Sequence, residues 1–428
     1  MKKGIVFVLL VILASLCMGF FLVWKNVIEP KNTRLALYEI TTASKYKRGD
    51  ADTPDQISSW LDDLNGLKKE HLKPCERIAY YNKSAALKRR LSAQDGTRNN
   101  ALPPTSLQKA AEKYFLTPPS LEMLSQIGEA EFESVMSDIQ RFEAELKSNG
   151  YEGSLNALAE HPKNFSTDIK EVEDTYNRYI LLAEQNLKSR FYDYDIPKGK
   201  ATISEQSHRW SAYAQYNRHE NTMIAFSTKA PLADYLGESE FNVAIAPFIS
   251  VHEMYPGHHL SAYAGLSNPI CPGDNPTSFS WLGEGWATYV EFVADEDGFY
   301  REPEHKLAWL DYRLTRAMRI ILDVKRMQGL YQHAALKLIW EERMPERLSG
   351  HFDREFHRLK TSHHQHLTYI FGYKAISDAK TKLVEELGEG FDEKKFHDAI
   401  LRLAHTEPHA FYETVKTAMK IPTHPQPQ

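Results

Sequence analysis

The segment His252-Glu253-Met254-Tyr255-Pro256-Gly257-His258-His259 places three imidazoles and a carboxylate within one short stretch. Zinc prefers neutral imidazoles and carboxylates, and a catalytic ion keeps one position open for water. The regular helical arrangement sets two histidines four apart, with a glutamate after the first. Here the fourth residue after His252 is Pro256. On an ideal helix His258 lies about 120° round from His252, while His259 is nearly in line but about 10.5 Å further along the axis. Pro256 also lacks an amide proton and collides with the carbonyl of His252, so no regular helix runs through Tyr255-Pro256-Gly257. A bulge or local unwinding there would swing His258 back beside His252. His258 is the preferred second ligand, because a Gly-His pair also ends the regular motif; His259 is the alternative.

A third donor must come from another element. The run Gly283-Glu284-Gly285-Trp286-Ala287-Thr288-Tyr289-Val290-Glu291 reads as the start of an amphipathic helix, with Glu284, Thr288 and Glu291 on one face. Glu284 would complete a two-histidine, one-glutamate zinc site, and Glu291 would orient a histidine from behind or serve as a further ligand. A single His-Glu pair is usually surface chemistry, and two histidines after Pro-Gly can simply cap a helix. The combination of all three features points to Zn2+.

The elements that must position these residues are mostly helical. From Leu35 to Leu187 isoleucine and leucine recur at three- and four-residue spacings, as in Ile57 to Leu64 and Leu121 to Ile127. Ser120, after Pro118-Pro119, is a plausible helix N-cap. Between about 200 and 250 the pattern changes, and Tyr213 to Asn217 and Thr222 to Ser227 are the strand candidates. Helical patterning returns at Phe248. The reading is mainly α with one small β-sheet, divided into an N-terminal anchor or signal (1–25), a helical region (26–195) and a metal-binding catalytic region (196–428) continuous with it.

The chain has 428 residues, with 52 Lys+Arg against 57 Asp+Glu and a net charge of -5. That balance, spread along the chain, excludes an electrostatic nucleic-acid binder. Of three cysteines, Cys17 sits in the apolar N-terminus, leaving Cys75 and Cys271 as the only possible pair. Met1-Lys2-Lys3 precedes an uncharged run from Gly4 to Trp24. As a helix this run would rise about 31 Å at about 1.5 Å per residue, enough to cross a bilayer core. It exceeds the apolar stretch of a cleaved signal and lacks an Ala-x-Ala ending, so an uncleaved membrane anchor is the favoured reading. A cleaved signal, or a lipidated Cys17, is the alternative. The two lysines would stay inside, sending the rest across a bacterial inner membrane to the periplasmic side.

The strings His-Glu-x-Tyr-Pro-Gly-His-His-Leu and Glu-Gly-Trp-Ala-x-Tyr-x-Glu closely resemble those of the domain of unknown function 885 family. The helix Arg316-Ala317-Met318-Arg319-Ile320-Ile321-Leu322-Asp323 and the segment Gln365-His366-Leu367-Thr368-Tyr369-Ile370-Phe371-Gly372 resemble it further. The Pro-Gly that precedes the glutamine in the family is His363-His364 here. The resemblance implies a bacterial metallopeptidase with a helical, zincin-like fold, its small sheet beside the active-site cleft. Glu253 would act as general base on a zinc-activated water attacking a peptide carbonyl. Tyr369 is the first choice for a donor to the oxyanion, with Tyr373 and His366 behind it.

Other polar residues have weaker expectations. Arg316, Arg319 and Asp323 share a helical face, with Arg319–Asp323 spaced to pair; the arginines would organise the cleft floor or bind a substrate carboxylate. His363, His364 and His366 read as a solvated cluster. Residues 213–227 would supply an edge strand for an extended peptide. The competing functions are a non-catalytic anchored binding protein and a zinc hydrolase of non-peptide amides such as cell-wall fragments.

Overall fold

The structure, a computed structural model, describes residues 18, 20–46, 53–94, 114–115, 119–205, 213–227, 240–267, 269–271, 281–362, 364–403 and 406–421. The chain divides into two compact units, residues 1–99 with 412–421 and residues 100–411 with 422–428. This division does not coincide with the boundary at 195 suggested by the change in sequence pattern. Among the described residues no helix is long and apolar enough to cross a membrane. Most of the run Gly4 to Trp24, and Cys17 with it, lies outside the described residues.

The first unit is built on helices α1 (Glu29–Tyr46), α2 (Pro54–Asn65) and α3 (Pro74–Gln94). Thr53 opens α2 with a capping box, its hydroxyl accepting from Gln56 N and the Gln56 side chain accepting from Thr53 N. Ile57, Leu61 and Leu64, one face of α2, bury against Leu37, Leu72 and Leu87.

The second unit carries the chemistry. Its helices are α4 (Leu121–Ser148), α5 (Leu155–Ala159), α6 (Ile169–Leu187), α7 (Ala246–Glu253), α8 (His258–Ser267), α9 (Trp281–Glu296) and α10 (Pro303–Met327). They are followed by α11 (His333–Arg343), α12 (Glu346–Ser349), α13 (Phe352–Thr361), α14 (Thr368–Leu387) and α15 (Glu393–Arg402). Ser120 caps α4, its hydroxyl accepting from Met123 N at 3.1 Å. The long helix α10 packs along α4. A Cβ on Gly128 would come within 2.9 Å of Ile320, so glycine lets the two axes approach. Arg313 of α10 fixes the pair by reaching Glu131 at 2.9 Å and Asp138 at 2.8 Å.

The fold is thus mainly α. Strands β2 (Lys200–Ser204), β3 (Ala214–Asn217) and β4 (Thr222–Phe226) form a sheet in the order β2-β4-β3, with β3 antiparallel and β2 parallel to β4. The pair β1 (Phe165–Ser166) with β5 (Phe241–Asn242) adds a second, two-stranded piece, so there are two small sheets rather than one. Two helix contacts place the site. Helix α9 lies against α7 on one side and crosses α14 on another. At that crossing a Cβ on Gly285 would lie 2.4 Å from the Gly372 Cα, and one on Gly372 would lie 2.2 Å from the Trp281 carbonyl. Only glycine at both positions permits this approach.

Candidate metal centre

The proline does interrupt the helix. Helix α7 ends at Glu253, Met254 leaves helical geometry (φ -112, ψ -104), and α8 restarts at His258. The turn folds back so tightly that a Cβ on Gly257 would sit 1.8 Å from the carbonyl oxygen of His252. This reversal brings the His252 and His258 rings edge to face at 4.9 Å between centroids. Glu284, in the first turn of α9, reaches both: its Oε2 is 3.4 Å from Nε2 of each histidine. One donor atom from each of the three residues lies within 4.8 Å of the others.

Two details indicate that these residues suit a metal ion. Glu284 Oε2 is buried and has no hydrogen-bond partner, an expensive state for a carboxylate oxygen unless a cation completes it. And His252 is held in the tautomer a ligand needs. Its Nδ1 is 2.7 Å from Oε1 of Glu291, a carboxylate that can only accept, so Nδ1 carries the proton and Nε2 faces Glu284. Burial disfavours a charged His252, yet Glu284 and Glu291 on either side raise its pKa to about 10, so an ion bound at Nε2 would displace the proton shared there with Glu284 while Nδ1–H stays on Glu291. Burial likewise opposes ionisation of Glu284, but the neighbouring His258 and His252 hold it below the usual carboxylate range.

Glu291 is therefore behind His252, not among the converging donors. It is fully buried and takes a two-pronged bond from Arg316, Nη1 to Oε2 at 2.8 Å and Nη2 to Oε1 at 2.9 Å, with Trp309 Nε1 donating at 3.2 Å. Arg316, 1% exposed, is committed to Glu291 and does not offer itself to a substrate. Arg319 does not pair with Asp323 either. It forms a buried two-pronged ion pair with Glu355 of α13, at 2.5 and 2.9 Å. Asp323 instead accepts from His364 Nδ1 at 2.5 Å, His366 Nε2 at 3.0 Å and Arg326 at 2.8 Å. His364 and His366 are thus buried, not a solvated cluster, and His366 is not a substrate contact. His363 lies outside the described residues. Tyr373 stacks flat on Phe292 at 3.9 Å and does not join the converging donors.

His259 turns away from the metal group. Its Nε2 meets the Pro197 carbonyl at 2.7 Å and must donate, which leaves Nδ1 to accept from the Tyr216 hydroxyl at 3.0 Å. Burial keeps it neutral by lowering its pKa. It is an anchor for β3, not a ligand. The strand it anchors matters because the main-chain N–H of Tyr216 donates to Glu253 Oε2 at 2.9 Å. Residue types alone could not show this contact, since the donor is backbone.

Tyr369 lies beside the group, its ring stacked on His252 at 5.8 Å. Its hydroxyl oxygen accepts from Arg358 Nη2 at 3.0 Å and from Gln365 Nε2 at 3.1 Å. With both lone pairs taken, the hydroxyl is left to act as a donor. Burial, then the nearby charge of Glu284, pushes its pKa up and keeps the phenol protonated. Gln365, which the sequence did not single out for a role, also donates to Glu284 Oε1 at 2.5 Å.

Comparison with known proteins agrees with the pattern of residues. No curated protein matches the chain. Among the solved structures that share the fold are two described as putative lipoproteins. The protein from Colwellia psychrerythraea is 19% identical with a TM-score of 0.59, covering 89% of this chain and 69% of its own. The protein from Shewanella oneidensis, described as of unknown function, is 17% identical with a TM-score of 0.51, covering 88% of this chain and 76% of its own. The model of a bacterial family of unknown function, DUF885, matches residues 40–404, and the chain belongs to that family.

Proposed function

We propose that the chain is a zinc-dependent hydrolase of the zincin-like type, cleaving peptide bonds. The observation that carries this reading is the convergence of His252, His258 and Glu284 on one point, with Glu284 Oε2, one of the three donors, buried and unbonded. Those three residues would hold Zn2+. Two histidines and one glutamate, with a position left for water, form a donor set typical of hydrolytic zinc. When bound, the ion would supply Lewis-acid polarisation of the substrate carbonyl and acidify water.

The chain's own residues would do the rest. Glu253, with Oε2 fixed by Tyr216 N–H, keeps Oε1 to accept the proton of the attacking water and return it to the leaving amine. Tyr369, still protonated, would donate a hydrogen bond from its hydroxyl to the oxygen on which negative charge develops. Strand β3 is an edge strand among the described residues. Phe226 N donates to Tyr213 O, so by alternation the N–H and C=O of Ala214 point away from β4, toward the side of β3 on which no described strand pairs. An extended peptide laid there would run past Glu253. The charge-free run Gly4 to Trp24 would anchor the enzyme in a bacterial inner membrane, with the second unit outside the cytoplasm. The fold shared with two proteins described as putative lipoproteins makes attachment through Cys17, or secretion, the alternative.

The test is elemental analysis of the purified full chain together with Glu253→Gln assayed on a peptide library. Near-stoichiometric zinc, cleavage by the unsubstituted protein and loss of cleavage with zinc retained in the variant are expected. Zinc without any cleavage would favour a binding protein. Full activity in Glu253→Gln would sink the mechanism.

A further inference from the structure

We infer that Gln365 is a positioning residue of the metal centre, tying down one oxygen of Glu284 so that only the other faces His252 and His258. The inference rests on the zinc reading above. Gln365 sits in the turn between α13 and α14, and its amide is fully committed. Nε2 donates to Glu284 Oε1 at 2.5 Å and to the Tyr369 hydroxyl at 3.1 Å, and Oε1 accepts from Arg358 Nη2 at 3.4 Å. The orientation is dictated by charge: a flipped amide would set its oxygen against a carboxylate and its NH2 against a guanidinium. An amide this placed fixes which carboxylate oxygen is free. Oε2, the free one, is 3.4 Å from both histidine Nε2 atoms. A carboxylate with neither oxygen held can swing between one- and two-oxygen ligation; Gln365 removes that freedom and leaves a coordination position open.

The turn that presents Gln365 is clamped on both sides by one buried carboxylate. His364, just before it, donates to Asp323 at 2.5 Å, and His366, just after it, donates to the same oxygen at 3.0 Å. Ser362 completes the clamp by donating to His366 Nδ1 at 2.7 Å. His364 adopts a left-handed backbone (φ 69), a conformation that glycine takes freely and that histidine here offsets with its bond to Asp323. From the other side, the Gly285–Gly372 contact holds the first turn of α9, with Glu284, against α14.

The test compares zinc affinity, by chelator competition, in the full-length protein and in Q365E and Q365L, with cobalt(II) absorption spectra of each. Q365E has the size and shape of the native residue, so a space-filling role would leave affinity unchanged, which would overturn the inference. The positioning role predicts a loss of about 10- to 100-fold in both variants, larger in Q365E because its carboxylate opposes Glu284 Oε1. It also predicts an altered cobalt spectrum in Q365L as Glu284 gains its second oxygen; an unaltered spectrum contradicts it. Q365L keeps the test decisive should Q365E not fold. If the unsubstituted protein binds no zinc, the function reading fails and takes this inference with it; normal binding with an unaffected Q365E overturns this inference alone.

Discussion

The main-chain N–H of Tyr216 donates to Oε2 of Glu253 at 2.9 Å, so a strand residue fixes the carboxylate proposed as general base. The strand is in turn fastened by the Tyr216 hydroxyl to His259, and His259 to the Pro197 carbonyl. Adjacent histidines therefore part ways: His258 faces His252 and Glu284, and His259 faces the strand that holds Glu253.

Tyr216→Phe cuts that fastening without touching the metal group. It is expected to lower kcat by about 10-fold, the cost of roughly 1.4 kcal/mol in placing the base, while zinc affinity stays unchanged. His259→Phe should have a similar effect, and the double variant should lose little more than either single one, because both break the same link. Steady-state kinetics with chelator titration checks all three; additive losses would contradict the shared link.

Glu291→Gln keeps the shape of a buried side chain but strips the charge opposite Arg316. Removing one partner of a buried pair typically costs about 3–5 kcal/mol, and the orientation of His252 is weakened at the same time. Denaturant unfolding should show the loss of stability, and zinc affinity should fall by about 10- to 100-fold. Native stability and affinity together would refute the role given to Glu291.

Much of this site is legible in the sequence, and the gaps have physical causes. The clustering of His252, His258 and Glu284, with Glu291 behind His252, is legible because those side-chain types stand out at this spacing and because Pro256-Gly257 breaks the helix between the histidines. Helical spacing misplaced the arginines. It set Arg319 beside Asp323, but a buried guanidinium takes the best carboxylate in reach, and that is Glu355 on another helix. The His364–His366 string looked solvated because a polar turn has no periodicity to reveal that it folds inward onto Asp323. Gln365 and the Tyr216 N–H were invisible for a related reason. Amides and backbone donors are common everywhere, and only placement makes them matter.

The two close helix approaches carry their own prediction. Gly372→Ala would force a Cβ to 2.2 Å from the Trp281 carbonyl, so α9 and α14 must move apart. Overpacking of this kind typically costs about 1–3 kcal/mol, and here the same movement pulls Glu284 from Gln365. A drop in thermal midpoint accompanied by weaker zinc binding is expected. Gly298→Ala, by contrast, adds its Cβ into open space and only incurs strain at φ 67, so it should lower stability while leaving zinc affinity intact.

Acid should destabilise the fold through two neutral histidines. Burial lowers the pKa of His366 and of His397 to about 4 each. His397 donates Nδ1–H to the Arg190 carbonyl and accepts from the Tyr289 hydroxyl, both at 3.0 Å. In the unfolded chain both rings titrate near about 6.5. The unfolded state therefore binds protons first, and stability is lost as pH falls from about 6.5 to about 4, by roughly 2–3 kcal/mol per histidine. Urea unfolding of the chain between pH 7 and pH 4 measures this. His397→Gln should flatten the slope, and an unchanged slope would contradict the assignment.

The most direct measurement is the zinc content of the purified full-length chain, beside that of Glu284→Gln. Close to one zinc per unsubstituted chain is expected, removable by chelator and restored on adding the ion. Glu284→Gln keeps the shape and its bond to Gln365 but exchanges the ligand charge, so it should retain only a small fraction. Equal zinc in both proteins, or none in the unsubstituted chain after reconstitution, would contradict the claim that His252, His258 and Glu284 form a metal centre.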